Sequence, residues 1–318
     1  MTCVRYSHSI LKALTERLYV WRRLELLWIQ RSATSYTDLD LDDVIRYCSL
    51  PKALNKADRR LDGSHAIGIA IPGYRVQGVI GKGGQGTVYL CQEVESQSVC
   101  AIKVCNRPDE REYQNLKSLQ QLQHPNIVRL FDCILEPFAI VMEYVHGQSL
   151  KEVMQTSEDG EGRKLDLELI KLIGSQMLDA LSALHRMAIT HRDLKPSNIL
   201  CTFSHNQTIE KVTLIDFGAS RHDNFDVTMT NTGQFVGTWQ YFSPEQCRGD
   251  AQLDARVDVW SAGVVIYEMA AGKNPFFSLN VLELFNAVRR KRFVVIVTCD
   301  VAMNLFLKTA LKKDPQDR

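Results

Sequence analysis

The chain has 318 residues, 45% hydrophobic and 24% charged, with 38 Lys and Arg against 37 Asp and Glu. That length fits one large or two ordinary domains with a real core, and the net charge of +1 argues against a surface built for nucleic acid or an anionic membrane. Nine cysteines, an odd number without a C-x-x-C pair, argue against a disulfide framework or zinc site and for a reducing compartment, cytoplasmic or alternatively nuclear.

Over residues 9–30, Leu11, Leu14, Leu18, Trp21, Leu24 and Trp28 recur at helical spacing. Arg17, Arg22, Arg23 and Arg31 fall mostly off that stripe. The segment reads as a helix packing on the body of the protein or on a partner, in preference to an interfacial membrane helix. Glu16, Arg17, Arg22, Arg23 and Glu25 break the apolar run, which is too interrupted to span a bilayer and is followed by no secretory cleavage pattern. The chain turns acidic over 37–43, breaks at Ser49-Leu50-Pro51, and continues to Pro72-Gly73 as a linker with some helix.

From Tyr74 the apolar period shifts to that of strands. Residues 75–80 and 87–92 read as two strands, with Gly81-Lys82-Gly83-Gly84-Gln85-Gly86 between them. Glycines let backbone N–H groups approach phosphate closely. A lone G-x-G-x-x-G also suits dinucleotide folds, but here a strand follows in place of a βαβ unit. Cys100-Ala101-Ile102-Lys103 continues as strand. Leu116 and Leu119 follow Glu112 by four and seven residues, on one helical face. After a turn at His124-Pro125-Asn126-Ile127-Val128, residues 139–144 read as a buried strand and 155–164 as a polar loop. Leu169, Ile173, Met177, Ala180, Leu181 and Leu184 mark an amphipathic helix. It runs to His191-Arg192-Asp193-Leu194-Lys195-Pro196-Ser197-Asn198. A short strand at 213–215 precedes Asp216-Phe217-Gly218, and 220–236 is polar. Then come Gly237-Thr238-Trp239-Gln240-Tyr241-Phe242-Ser243-Pro244-Glu245 and a helix from Asp258 to Met269 that is apolar nearly all round, hence buried.

In this order and spacing the glycine loop, the His191–Asn198 stretch and Asp216-Phe217-Gly218 resemble the protein-kinase signature set, over residues 74–318. The Gly237–Glu245 stretch is similar to the matching element of serine/threonine kinases, with Ser243 where alanine is commoner. It also looks somewhat like that of bacterial receptor-type kinases. The resemblance implies an α+β, two-lobed fold after an N-terminal extension at 1–73. The small β-rich lobe, 74–145, would carry an αC helix, and the larger, mostly helical lobe would be 146–318.

It implies phosphoryl transfer, which asks a protein mainly for alignment and charge neutralisation. Asp193 would be the base for the attacking hydroxyl, and Lys195 would reach the γ-phosphate. Asn198 and Asp216 would hold Mg2+, with Mn2+ as the alternative ion; both are hard cations that prefer oxygen ligands. Lys103 would pair the α- and β-phosphates of ATP with a glutamate of αC. Glu112 is the choice for that glutamate; it stands nine residues after Lys103, a short spacing that keeps Glu110 as the alternative. Ile80, Gly81, Lys82, Gly83, Gly84, Gln85 and Gly86 would cover the nucleotide, with Val88, Ala101 and Leu200 around adenine. Met142 stands at the gatekeeper position, and Glu143 and Val145 lie in the hinge.

Lys195 and Thr238 favour Ser/Thr over Tyr as acceptor, so the expected partners are proteins bearing Ser or Thr. An upstream kinase, or a second copy in trans, would phosphorylate Thr230 or Thr232, with Thr228 the weaker candidate, for Arg192 to anchor. Glu268 matches a glutamate that reads basic residues in some substrates. Arg318 is expected to pair with Glu245 and, as the last residue, to fray. No further helix follows it, so apolar side chains of the large lobe would be exposed or covered by residues 9–30. Two other readings compete: a pseudokinase scaffold, which loss of Lys103, Asp193, Asn198 or Asp216 would signal, and a small-molecule kinase, which the Gly237–Glu245 element opposes.

Overall fold

A computed structural model describes residues 69–83, 86–105, 116–135, 138–156, 161–216, 239–291 and 300–318. The predicted helix at 9–30, Gly84, Gln85, Glu110, Glu112 and the segment 217–238 lie outside them. The described residues fall into two compact units, a smaller one at 69–105 and 130–144 and a larger one at 116–129 and 145–318.

The smaller unit is a five-stranded antiparallel sheet. Its strands are β1 (Tyr74–Gly83), β2 (Gly86–Glu93), β3 (Val99–Cys105), β4 (Leu130–Leu135) and β5 (Phe138–Glu143), in the order β1-β2-β3-β5-β4. Successive side chains of a strand point to opposite faces, so the register sorts them. Cys91 opposes Cys100, and Ile102 opposes both Tyr89 and Val141. These join Ile71 and Ala139 in an apolar core on one face. The other face carries Val88 opposite Lys103 and Leu90 opposite Ala101, with Met142 beside Ala101 on the next strand. β3 is buried from Cys100 to Lys103 on both faces, so it runs apolar without alternation.

The larger unit is mostly helical. Among the described residues it holds a helical stretch at 116–120 and the helices α1 (Leu150–Met154), α2 (Leu167–Arg186), α3 (Pro244–Arg248), α4 (Arg256–Ala271), α5 (Val281–Arg290) and α6 (Val301–Ala310). A three-stranded sheet of β6 (Gln148–Ser149), β7 (Ile199–Phe203) and β8 (Ile209–Leu214) completes it. Together the units give the α+β architecture that the sequence implies. α4 is buried over its first fourteen residues, as its unbroken apolar run requires. Gly263 lets α6 reach it, since a Cβ there would lie 2.9 Å from that of Ala310. The buried stripe of α2 begins at Ile170, one residue later than the periodicity suggests, because Asp166 caps the helix by accepting from the Leu169 N–H. Strand β8 starts four residues before the predicted one and ends at Leu214.

Candidate active site

The candidate residues fall into two sets, one in each unit. In the smaller unit, Lys103 and Ala101 are buried in β3 and Met142 in β5, on the face they share with Val88. Gly81 pairs with Val88, and Ile80 bulges out of the ladder and is 41% exposed. Lys82 and Gly83 continue β1 toward the turn. Gly86 is a steric necessity: a Cβ there would lie 2.1 Å from the Val104 carbonyl oxygen. Glu143 ends β5.

In the larger unit, residues 191–195 have no regular secondary structure, yet most of them are buried. Asp258, fully buried in the first turn of α4, holds them. Its carboxylate accepts the His191 and Arg192 backbone N–H groups, each at 2.8 Å, and lies 2.8 Å from His185 Nε2 on α2. Burial works against this carboxylate's charge, but the hydrogen bond and charge of His185, aided by His191 and the Arg192 N–H, keep its pKa below the ordinary value. Gln246 of α3 donates to the Arg192 carbonyl at 3.1 Å. Arg192 is thereby held at φ 65°, a left-handed conformation that costs a non-glycine residue about 1–3 kcal/mol and persists only when its surroundings enforce it.

Asp193 sits at the centre of the cluster and is 7% exposed. Lys195 Nζ lies 2.6 Å from its Oδ2. Asn198 Nδ2 donates to the Asp193 carbonyl at 2.8 Å and to its Oδ2 at 3.2 Å. With its amide nitrogen so engaged, the carboxamide oxygen Oδ1 of Asn198 would be the atom to meet a cation. Ile199 and Leu214 face each other across β7 and β8, and the Ile215 N–H donates to the Asn198 carbonyl. This hairpin end brings the backbone of Asn198 close to that of Asp216. A carboxamide and a carboxylate oxygen fit Mg2+, which takes one or two protein groups and completes its shell from water and phosphate. Leu200 is half-buried in β7, and Val145 lies just before β6. Gly147 lets β7 approach, because a Cβ there would sit 2.4 Å from the Cys201 carbonyl oxygen.

Beyond these sets, Glu268 is buried and accepts a hydrogen bond from the Tyr241 hydroxyl at 2.8 Å, and burial lifts its pKa to about 7. Arg318 does not fray. Its side chain is buried, makes two hydrogen bonds of 2.7 and 2.6 Å to Glu245, also donates to the Lys312 and Arg256 carbonyls, and lies over Trp260. Planar two-point pairing with a carboxylate fixes the residue where chain position alone suggests freedom. Large apolar side chains are exposed in this unit at Leu279, Leu282, Val301 and Leu305.

Sequence reasoning passed over Asp258, His185 and Gln246 as functional supports. Two signals were present. Asp258 is an acid inside an otherwise apolar helix. Ser243-Pro244-Glu245-Gln246 has the spacing of a capping box: Ser243 caps α3, and the Gln246 side chain accepts from its N–H. That also accounts for serine at this position.

The protein kinase domain family model matches residues 74–318. The serine/threonine-protein kinase PknA of Corynebacterium glutamicum is 38% identical over 218 residues, covering 64% of this chain and 44% of its own length. A probable serine/threonine-protein kinase PknB of Bifidobacterium longum is 36% identical over 224 residues, or 64% of this chain and 31% of its own length. The serine/threonine-protein kinase pkn3 of Myxococcus xanthus is 34% identical over 268 residues, covering 77% and 47% respectively. The chain thus spans less than half the length of these curated relatives.

Proposed function

The chain belongs to the protein kinase domain family, and from that premise we propose that it transfers the γ-phosphoryl group of ATP to serine and threonine hydroxyls of proteins. The observation that carries this reading is the Asp193–Lys195–Asn198 cluster, three side chains joined by hydrogen bonds of 2.6 to 3.2 Å. Asp193 orients the acceptor hydroxyl and takes its proton, and Lys195 neutralises charge on the transferred group. Asn198 and Asp216 would hold Mg2+, which neutralises phosphate charge when bound. Lys103, with the αC glutamate, orients the α- and β-phosphates. Groups that act as such a unit are non-additive, so one substitution removes most of the rate. The test is transfer of label from radioactive ATP to mixed generic protein substrates, wild type against Asp193→Asn. We expect label with the first and almost none with the second; equal labelling would overturn the proposal.

Two finer readings belong to it. Arg192 would anchor a phosphorylated Thr230 or Thr232, since phosphate adds about −1.5 to −2 charges and strong acceptors. Mass spectrometry of active protein that finds no phosphate between residues 220 and 236 would exclude this. Glu268, 2% exposed and held by Tyr241, would favour substrates with basic residues upstream of the acceptor only when its carboxylate is uncovered and ionised. One of its oxygens takes the Tyr241 hydroxyl, while Oε1 is buried without a hydrogen-bond partner. A peptide array without upstream Arg or Lys enrichment would remove it. Among the described residues no helix is long and apolar enough to cross a membrane, and a cytoplasmic location fits the cysteine usage.

A further inference from the structure

The backbone just ahead of Asp216 is held from both sides. On one side the Ile215 N–H donates to Asn198, on β7 side. On the other, the edge of β8 would be open, but residues 126–128 occupy it. The Leu214 N–H donates to the Asn126 carbonyl at 2.8 Å, the Val128 N–H donates to the Leu214 carbonyl at 3.0 Å, and Ile127 bridges Leu214 in parallel.

Two residues earlier no backbone continues that ladder. Side-chain amides take over. Asn126 Nδ2 donates to the Val212 carbonyl at 2.7 Å, and the Val212 N–H donates to Gln176 Oε1 at 2.8 Å. The two amides are joined to each other by Asn126 Nδ2 donating to Gln176 Oε1 at 2.6 Å, and Gln176 Nε2 donates to the Glu210 carbonyl at 3.2 Å. His124 closes the turn by accepting the Asn126 N–H, and its Nε2 lies 3.4 Å from Asp179 of α2. Gln176 rides on the same helix, the longest among the described residues of the unit. Two residues past the end of β8, Asp216 stands at φ 63°, a conformation that needs such support.

We propose that Asn126 and Gln176 are positioning residues for Asp216, acting through β8. They finish the open edge of the strand and fix where the Asp216 carboxylate meets its cation. The inference rests on the reading of Asp216 as a metal ligand.

The experiment uses the full chain with a non-hydrolysable ATP analogue, and reads Mn2+ occupancy by electron paramagnetic resonance and amide exchange at Val212 and Leu214. For Asn126→Ala and for Gln176→Leu we expect faster exchange at both amides and a half-saturating Mn2+ concentration raised about tenfold, as for partners of metal ligands elsewhere. Gln176→Glu keeps the oxygen that accepts from Asn126 and Val212 but loses the donor to the Glu210 carbonyl, so it should fall between wild type and Gln176→Leu in both readouts. The double variant should be no worse than the weaker-binding single one, because the two amides act as one network. Faster exchange with unchanged Mn2+ half-saturation would overturn the proposal, leaving the pair a packing feature only. Unchanged exchange would overturn it as well. Absence of Mn2+ binding by the wild type would overturn the reading of Asp216 itself, which the variants alone cannot do.

Discussion

The β2–β3–β5 sheet and the loop around Asp193 place their functional groups in opposite ways. In the sheet, position follows from alternation: Val88, Ala101, Lys103 and Met142 share one face because paired residues of an antiparallel ladder do. In the loop no repeat exists, and each group is set by a partner far along the chain. The His191 and Arg192 N–H groups reach Asp258, 67 and 66 residues away. A ladder spreads its load over many bonds, whereas a loop concentrates it on a few buried polar groups. Single side-chain swaps that leave the strand backbone undisturbed should therefore cost far less in the sheet than swaps of the loop's buried partners.

The largest effect is expected from Asp258→Ala. It strands the buried His191 N–H, the part-buried Arg192 N–H and a buried histidine, so the fold should lose about 3–5 kcal/mol, as for other broken buried networks. Activity per folded molecule should also drop, because Arg192 and Asp193 lose their anchor. Urea melts and radiolabel transfer measure the two losses. A variant with wild-type activity would break the comparison.

Arg318→Met comes next. It leaves the Glu245 carboxylate buried without its partner, again costing about 3–5 kcal/mol, yet replacing both residues by apolar ones of similar size should recover most of that. Melting of the two variants side by side checks it. A double variant no better than the single one would mean that the Lys312 and Arg256 carbonyls, also served by Arg318, dominate.

Glu268 gives a pH-dependent effect. Its carboxyl keeps a proton in the folded state up to about pH 7, against 4.5 in the unfolded chain. A raised carboxyl pKa gives stability that is fully present below about pH 4.5 and lost as pH rises through about 7. Relative to Glu268→Gln, the wild type should lose roughly 3 kcal/mol across that window, at 1.36 kcal/mol per pKa unit. Parallel pH dependences of the two proteins would show that Glu268 is ionised throughout.

The smallest effect belongs to the sheet. Cys91→Val swaps one small apolar group for another inside the core, at less than about 1.5 kcal/mol. ATP dependence should not change, since Cys91 lies on the face opposite Lys103. Gly86→Ala, in the same strand, is the control that should fail, because its Cβ would meet the Val104 carbonyl. If thermal melts rank Cys91→Val as worse than Gly86→Ala, register is not what organises this sheet.

Much of the molecule is legible in the residues alone, wherever a repeat or a chemically distinctive spacing exists. The strand alternation from Tyr74, the apolar period of α2 and the all-round apolar run of α4 each follow from which side chains must leave water. The stretch of Asp193, Lys195 and Asn198 is legible through its resemblance to the protein-kinase signature, and its short spacing lets the three side chains meet. Tertiary structure alone decided the rest. That Arg318 is locked, that Glu268 is buried against Tyr241, and that Asn126 and Gln176 complete the edge of β8 all depend on partners 27 to 86 residues distant. Hydrogen bonds of that range leave no period in the sequence. Each is a single donor meeting a single acceptor, and only the folded backbone determines which ones meet.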